Sequence, residues 1–520
     1  MRGRQFTFWT RLVPVFALAL LFSACASLPE DLQQEHSQTW QQPEETFLGQ
    51  TIAEAAPDDT SLSGVELLAE PEAAFTTRFA LANLAEKSLD LQYYLWKGDL
   101  AGGLLLWAAL EAADRGVQVR FLIDDIYHSG RDDVYALLDT HENFEVRIFN
   151  PMANRGAGRY INYALNRKHL NHRMHNKIWL ADNAVAVLGG RNIGNDYFGV
   201  DTKANFFDLD VLTTGQGARE AGAAFDEYWN SKYAVPIHVL NKKSFTQEHL
   251  EEGRKELDAF LEDMDVMPYA ITVDSEETIE KLKAWRDELA WVRAHVVVDP
   301  LERFEGQGES AIVEFNREHI ASIETDFIAE SAYLIPSQEG IAAMKKMVDR
   351  GIRVRLLTNS LQSTNHSSAH SGYMKYRKDL LETGAELYEL RPDAALREHF
   401  RANNDNHEVP AGIHTKSFII DDEQALIGSF NFDPRSRDLN SEIGLVISDR
   451  AFAQEVMAVM EEDFHPENAY RLYLNEDGKL RWELQNPDGT VTVFTKDPGA
   501  PWWRRATARF LSWLPIEQEL

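Results

Sequence analysis

The sequence predicts an α/β fold built from two copies of one unit, and three observations carry that prediction. The stretch "RGVQVRFLIDD" at 115–125 recurs as "RGIRVRLLTNS" at 350–360. Each follows a helix-like segment, "LLLWAALEAADRG" or "GIAAMKKMVDRG", and before that a strand-like one, "LDLQYYLW" or "SAYLIP". Downstream, "MHNKIWLADNAVAVLGGRN" at 174–192 matches "IHTKSFIIDDEQALIGSFN" at 413–431. Strand–helix–strand units cross over right-handed and pair in parallel, so each copy is expected to form its own sheet. Four elements in one order at near-equal spacing mark an internal duplication.

The elements follow in chain order. Arg2, Arg4 and Arg11 precede an apolar run, Leu12 to Phe22, too short to span a bilayer. Residues 1–24 therefore read as a signal peptide, ending at the single cysteine, Cys25. "LFSAC" resembles a bacterial lipoprotein signal, which implies lipidation of Cys25 and a membrane-attached lipoprotein in the Gram-negative cell envelope, facing the periplasm. An incidental thiol is the alternative. With one cysteine the chain forms no internal disulfide. Residues 25–60, rich in Gln, Glu, Ser and Pro, form a tether. The first copy occupies 61–235 and the second 311–470, separated by a charged helical insert at 236–310. A hairpin ("RLYLNEDGKLRWEL", "TVTVFT") and a tail fill 471–520. In the tail Trp502, Trp503, Phe510, Leu511, Trp513 and Leu514 alternate with Arg504, Arg505 and Arg509. That pattern is expected to lie at a membrane interface, with a core-packed helix as the alternative.

Hydrophobic residues make up 44% and charged residues 26%, an ordinary globular balance. The net charge of −31 is not ordinary. It repels nucleic acid, so no nucleic-acid partner is expected, and it repels anionic lipid unless an anchor offsets the repulsion.

The second set of matched segments carries the chemistry. Alternate residues of a strand face the same way, so His175 shares a face with Lys177, and His414 with Lys416. Asp182 and Asp421 stand at the turns that follow. The returning strands end in Gly189-Gly190-Arg191-Asn192 and Gly428-Ser429-Phe430-Asn431. Glycine there permits close backbone approach, while Asn192, Asn431 and Ser429 offer neutral hydrogen-bonding groups. A lone strand histidine is usually a packing residue; two, each with Lys, Asp and Asn at matching offsets, call for another account. Face to face, the copies would gather two imidazoles and two ammoniums around one cavity. This set suits phosphodiester chemistry: one histidine attacks phosphorus, the other moves a proton, and Lys and Asn hold the oxygens. Asp208 and Glu442, each opening a strand, are candidates for orienting the imidazoles. Asp182 and Asp421 join the catalytic candidates by spacing, with turn-holding as their alternative role. His172 and His175 lie three apart, on opposite faces of a strand, with no Cys, Asp or Glu at ligand spacing. No metal or cofactor is expected.

The pattern His-x-Lys-x4-Asp-x6-Gly-x-x-Asn, present twice, resembles that of the phospholipase D superfamily, from about residue 60 to the C-terminus. Gly190 departs from the usual Ser. Within the superfamily, "HRMHNKIWLADNAVAVLGGRNIGNDYF", "LLTNSLQSTN", "GSFNFDPRSRDLNSEIG" and the terminal "WWRR…LPIE" are similar to C-type cardiolipin synthases of Gram-negative bacteria. The resemblance implies two phospholipase D-like mixed-sheet domains in pseudo-twofold arrangement, with the active site at their interface. It implies transfer of a phosphatidyl group to phosphatidylglycerol through a phosphohistidine, phosphatidylethanolamine being one candidate donor. His175 would be the nucleophile and His414 the acid/base, with crossed support from Glu442 and Asp208 respectively.

Two other readings stay open: a phospholipase D-type hydrolase, which uses water instead of the lipid alcohol, and a non-catalytic lipid-binding lipoprotein. Arg173, in the basic stretch with Arg167 and Lys168, is a candidate for binding an anionic headgroup. His370 and Tyr373, beyond the end of a parallel strand where α/β proteins bind ligands, are further substrate-binding candidates.

Overall fold

A computed structural model describes residues 28, 34–128, 130–156, 158–263, 275–394, 409–486, 488–515 and 517. The expected signal peptide and Cys25 lie outside the described residues. The expected tether is not free over 34–53: Leu48 and Ile52 of helix Phe47–Ala53 enter the core of the first half, and the Thr39 N–H donates to Asp226.

Each half forms a mixed sheet in the same strand order. In the first half, Phe144–Phe149, Gln118–Asp124 and Ser88–Tyr93 run parallel. Ile178–Ala181, Val185–Gly189 and Asp210–Thr214 follow, antiparallel. In the second half, Glu386–Leu390, Arg353–Asn359 and Asp326–Ser331 are the parallel set, continued by Lys416–Ile420, Gln424–Gly428 and Ile443–Ser448. The helices Leu100–Asp114 and Gln338–Asp349 make the two matching crossovers.

The hairpin strands are apolar without alternation because both of their faces are covered. Ile178 and Leu180 enter one core, Trp179 and Ala181 another. Ile419 likewise faces away from Phe418 and Ile420. The core shared by Ile178, Leu180, Leu188 and Val211 also contains Ile419, Ile427 and Leu445 from the second half. The two sheets therefore pack face to face, while helices such as Pro71–Leu84 and Ala311–Ile320 cover the outer faces.

Residues 236–310 hold two helices in their central part, Gln247–Asp263 and Ser275–Glu288. They also hold a nine-residue strand, Ala290–Val298, that a purely helical insert does not include. "AWVRAHVVV" is β-branched toward its end, and its function in the fold is to join the sheets. Its first residues pair with Ser63–Leu68 and the rest with Ile443–Ser448.

Candidate active site

Two short parallel ladders cross between the halves, and each delivers a histidine. Arg173–Met174 pairs with Asn440–Ser441, and Asn205–Phe207 with Ala411–Ile413. Each ladder continues into a backbone bond at the histidine itself. The His175 N–H donates to the Ser441 carbonyl at 2.9 Å, and the His414 N–H to the Phe207 carbonyl at 2.6 Å. One residue further along the opposing strand comes an acid. Glu442 thus meets His175, Oε2 to Nδ1 at 2.7 Å, and Asp208 meets His414, Oδ2 to Nδ1 at 2.6 Å. Each half supplies the carboxylate that holds the other's imidazole. Tyr94 packs edge-on to His175 and Tyr197 edge-on to His414, with centroids 4.7 and 5.0 Å apart. Neither tyrosine is part of the repeated His-x-Lys-x4-Asp-x6-Gly-x-x-Asn pattern.

The lysines fold back over their own histidines: Lys177 Nζ donates to the His175 carbonyl at 2.6 Å, and Lys416 Nζ to that of His414. Lys416 Nζ also lies 2.9 Å from His414 Nδ1. Both imidazoles and both ammoniums are almost wholly buried, so desolvation dominates their charge states. Burial holds His175 down to about 4, with Glu442 opposing. It also holds His414 well below its ordinary value, helped by the ammoniums of Lys416 and Lys177 and by His175 itself. Burial brings Lys177 down to about 7 and Lys416 to about 8. The mutual influence of these four groups, and of Glu442 on both lysines, makes them one electrostatic cluster. Around it, Asn192 and Asn431 each leave a buried amide oxygen without a protein partner, free hydrogen-bonding capacity at the site.

The two acids differ. Burial pushes Glu442 up, but His175, Lys177 and a hydrogen bond from Ser429 Oγ outweigh it and hold it below the ordinary carboxylate value. Asp208 has no such hydroxyl, and burial raises it to about 7 despite Lys416 and Arg191. Gly190 explains the difference. A Cβ there would lie 2.1 Å from Asp208 Oδ1. The shorter aspartate reaches His414 only by occupying the space that Ser429 fills in the other copy. Gly428 meets the expectation of close approach, since a Cβ would lie 2.4 Å from the Ile443 carbonyl oxygen.

Five sequence candidates fall elsewhere. Asp182 lies at the far end of strand Ile178–Ala181 from His175, seven residues along an extended chain and roughly 20 Å away. Its carboxylate accepts the backbone N–H groups of Glu86, Lys87 and Ser88. Asp421 repeats this with Glu324, Thr325 and Asp326. Both residues have positive φ, 52° and 55°, so these are turn-holding groups and not catalytic ones. Arg173 is fully buried, bonded to Asp124, Asn150 and His172. His370 is buried against Arg377, with Asp497 3.7 Å away, and Tyr373 lies under the Arg377 guanidinium. These contacts fasten helix Ser367–Tyr373 to the C-terminal region and leave no face for a substrate. A closer candidate is His366, which is exposed and near enough to depress His414. Among the described residues no cluster of three or more His, Cys, Asp or Glu side chains is arranged to hold a metal ion.

A family model described as "Cardiolipin synthase, PLD-like domain" matches residues 79–229 and 317–464, one match in each half. The chain belongs to this family, within the phospholipase D superfamily. It is 35% identical over 448 residues to cardiolipin synthase C of Escherichia coli (strain K12), covering 85% of this chain and 93% of that protein. It is 30% identical over 491 residues to an uncharacterized protein of Helicobacter pylori (strain ATCC 700392 / 26695), covering 91% and 95%. The fold matches the crystal structure of a phosphatidylserine synthase of Haemophilus influenzae Rd KW20, with a TM-score of 0.52 and 14% identity. That match covers 81% of this chain and 91% of the other. Family membership and fold agree on two phospholipase D-like domains.

Proposed function

We propose that the chain is a phospholipid phosphatidyltransferase that makes cardiolipin, passing a phosphatidyl group from a diacyl phospholipid to phosphatidylglycerol through a phosphohistidine on His175. The observation that carries the assignment of roles is the different environment of the two Nδ1 atoms. At His175, Nδ1–H donates to an ionised Glu442, which leaves a bare lone pair on Nε2. At His414, the Nδ1 lone pair accepts from protonated Asp208 at 2.6 Å, with the Lys416 ammonium beside it, so Nε2 carries the hydrogen. The first arrangement suits a nucleophile, the second a proton donor.

The step then balances. His175 Nε2 forms a bond to phosphorus as the bond to the donor's headgroup oxygen breaks, and His414 Nε2–H protonates that leaving alkoxide while Asp208 passes its proton to His414 Nδ1. The imidazole thus stays neutral, and Asp208 becomes the carboxylate until the second half-reaction returns the proton. His414 next takes the proton from a phosphatidylglycerol hydroxyl, whose oxygen attacks phosphorus and releases His175. Lys177 and Lys416 neutralise the non-bridging oxygens; an arriving phosphodiester anion favours their charged forms against the burial that depresses them. Work at a membrane fits helix Trp502–Ser512, which exposes Trp502 and Trp503, followed by an exposed Trp513. No helix among the described residues is long and apolar enough to cross a membrane. In this reading lipidated Cys25 and the aromatic helix both attach the protein to the envelope membrane.

The test gives the purified protein labelled phosphatidylglycerol, with and without phosphatidylethanolamine, and separates the products. Cardiolipin is expected. Phosphatidic acid alone would mean water replaces the lipid alcohol, and no turnover would leave a lipid-binding protein.

A further inference from the structure

We infer that a cavity on the outer face of the second half binds one acyl chain of the phospholipid substrate; the choice of ligand rests on the function proposed above. The cavity measures about 290 Å³ and lies between helices Ala311–Ile320 and Gln338–Asp349. Ile320, Ala343 and Met344 form its sides, and Phe327, Ile420 and Phe430 its floor. That is the size and apolar character of a small-molecule site.

Two observations favour an acyl chain. The first is continuity with the catalytic turn. Phe430 and Phe432, which both line the cavity, flank Asn431, and Ser429 is the residue that donates to Glu442. Strand Lys416–Ile420 starts at the catalytic lysine and ends with Ile420 in the cavity floor. The cavity wall thus shares one strand and one turn with the second catalytic set. A diacyl substrate whose phosphate sits at His414 brings flexible, unbranched hydrocarbon that must be kept from water.

The second observation is that the duplicated fold does not require this space. In the first half the matching helices, Pro71–Leu84 and Leu100–Asp114, are joined by aromatic packing. Phe79 stacks on Trp107 at 6.2 Å, and Phe75 also meets Phe198, from the turn after Asn195–Tyr197, edge-on at 5.3 Å. The second half has Val313, Gly340 and Ala343 along the corresponding gap. Interiors normally pack with few voids, so a gap that opens in one copy and is filled in the other is a feature of this sequence.

The experiment uses full-length protein and phosphatidylglycerol carrying a diazirine in one acyl chain. Photolysis is expected to label peptides spanning 313–347 and 420–437. Ala343→Phe places a ring in the cavity. It is expected to cut that labelling, and the ratio of kcat/KM for dioleoyl over dibutyroyl phosphatidylglycerol, by about tenfold, equivalent to losing burial of about two methylene groups. Label found elsewhere in the wild-type protein overturns the inference, and that arm does not depend on the variant folding. So does a folded Ala343→Phe protein with labelling and ratio within twofold of wild type, or a cavity that proves to be filled by another polypeptide segment. If the wild type labels here but makes neither cardiolipin nor phosphatidic acid, the acyl site stands and the transferase reading falls. If it makes cardiolipin without label here, only the acyl site falls.

Discussion

Replacing Glu442 with Gln tests the assignment of His175 most directly. The side chain keeps its shape, and an amide oxygen still accepts from His175 Nδ1–H and Ser429 Oγ, so the fold and the resting imidazole are expected to persist. What disappears is the negative charge. In the resting protein His175 is neutral, and little is lost on substrate binding. As the His175 Nε2–phosphorus bond forms, the ring becomes cationic beside a carboxylate whose oxygen is 2.7 Å from Nδ1. With charge centres about 4 Å apart and an effective dielectric near 20, that attraction is about 4 kcal/mol, or about a thousandfold in rate. Rapid-quench measurement with phosphorus-labelled phosphatidylglycerol should show phosphoenzyme formation slowed by about that factor, with KM within a few-fold of wild type. A folded Glu442→Gln protein that forms phosphoenzyme within tenfold of the wild-type rate would refute the reasoning. So would label that stays on the protein after His175→Ala and leaves after His414→Ala.

Gly190→Ser restores the residue usual at that position in the superfamily, yet it is expected to lower kcat at least a hundredfold, because its Cβ would displace Asp208 from His414; steady-state turnover of the folded variant checks this. Asp182→Asn should lower unfolding free energy by about 2 kcal/mol through weakening of charge-assisted bonds to three backbone N–H groups, that of Ser88 buried. Its turnover per folded molecule should match wild type, as denaturant titration paired with activity will show. Asp208, at about 7 when folded, binds more protons folded than unfolded between its ordinary value near 4 and 7. Its contribution to stability is therefore present at low pH and lost as pH rises through 7. Asp208→Asn should shrink the stability difference between pH 5 and pH 7 by roughly 2 kcal/mol, measured by urea titration at both values.

The duplication was legible because each copy is written in local signals: an Arg-Gly helix end, a β-branched strand, a histidine two residues before a lysine. The pairing of Glu442 with His175 and of Asp208 with His414 followed from family resemblance; nothing local announces it. The structure gives the physical cause in the parallel ladders Arg173–Met174 with Asn440–Ser441 and Asn205–Phe207 with Ala411–Ile413. These segments are two or three residues long, below what periodicity can detect. Ala290–Val298 was hidden for another reason: it is nine residues long, but its first residues adjoin a charged helix. Spacing misled in the opposite direction at Asp182 and Asp421. Their fixed distance from the histidines looks like chemistry, but a strand of fixed length with a turn-holding acid at its far end produces the same constancy. Arg173, His370 and Tyr373 failed for a related reason, since charge and aromatic character mark a residue that needs partners without saying whether those partners are ligand or protein. Gly190 works the other way. In the sequence it is only a departure from the usual Ser, and beside Asp208 it becomes the condition for a shorter acid to reach His414. The two copies have thus solved one geometric problem with two residue pairs, Gly190 with Asp208 and Ser429 with Glu442. The hydroxyl in the second pair helps keep Glu442 ionised, while the first leaves Asp208 near neutrality. In the mechanism proposed above, departure from symmetry at these four positions lets one imidazole attack while its twin carries the proton.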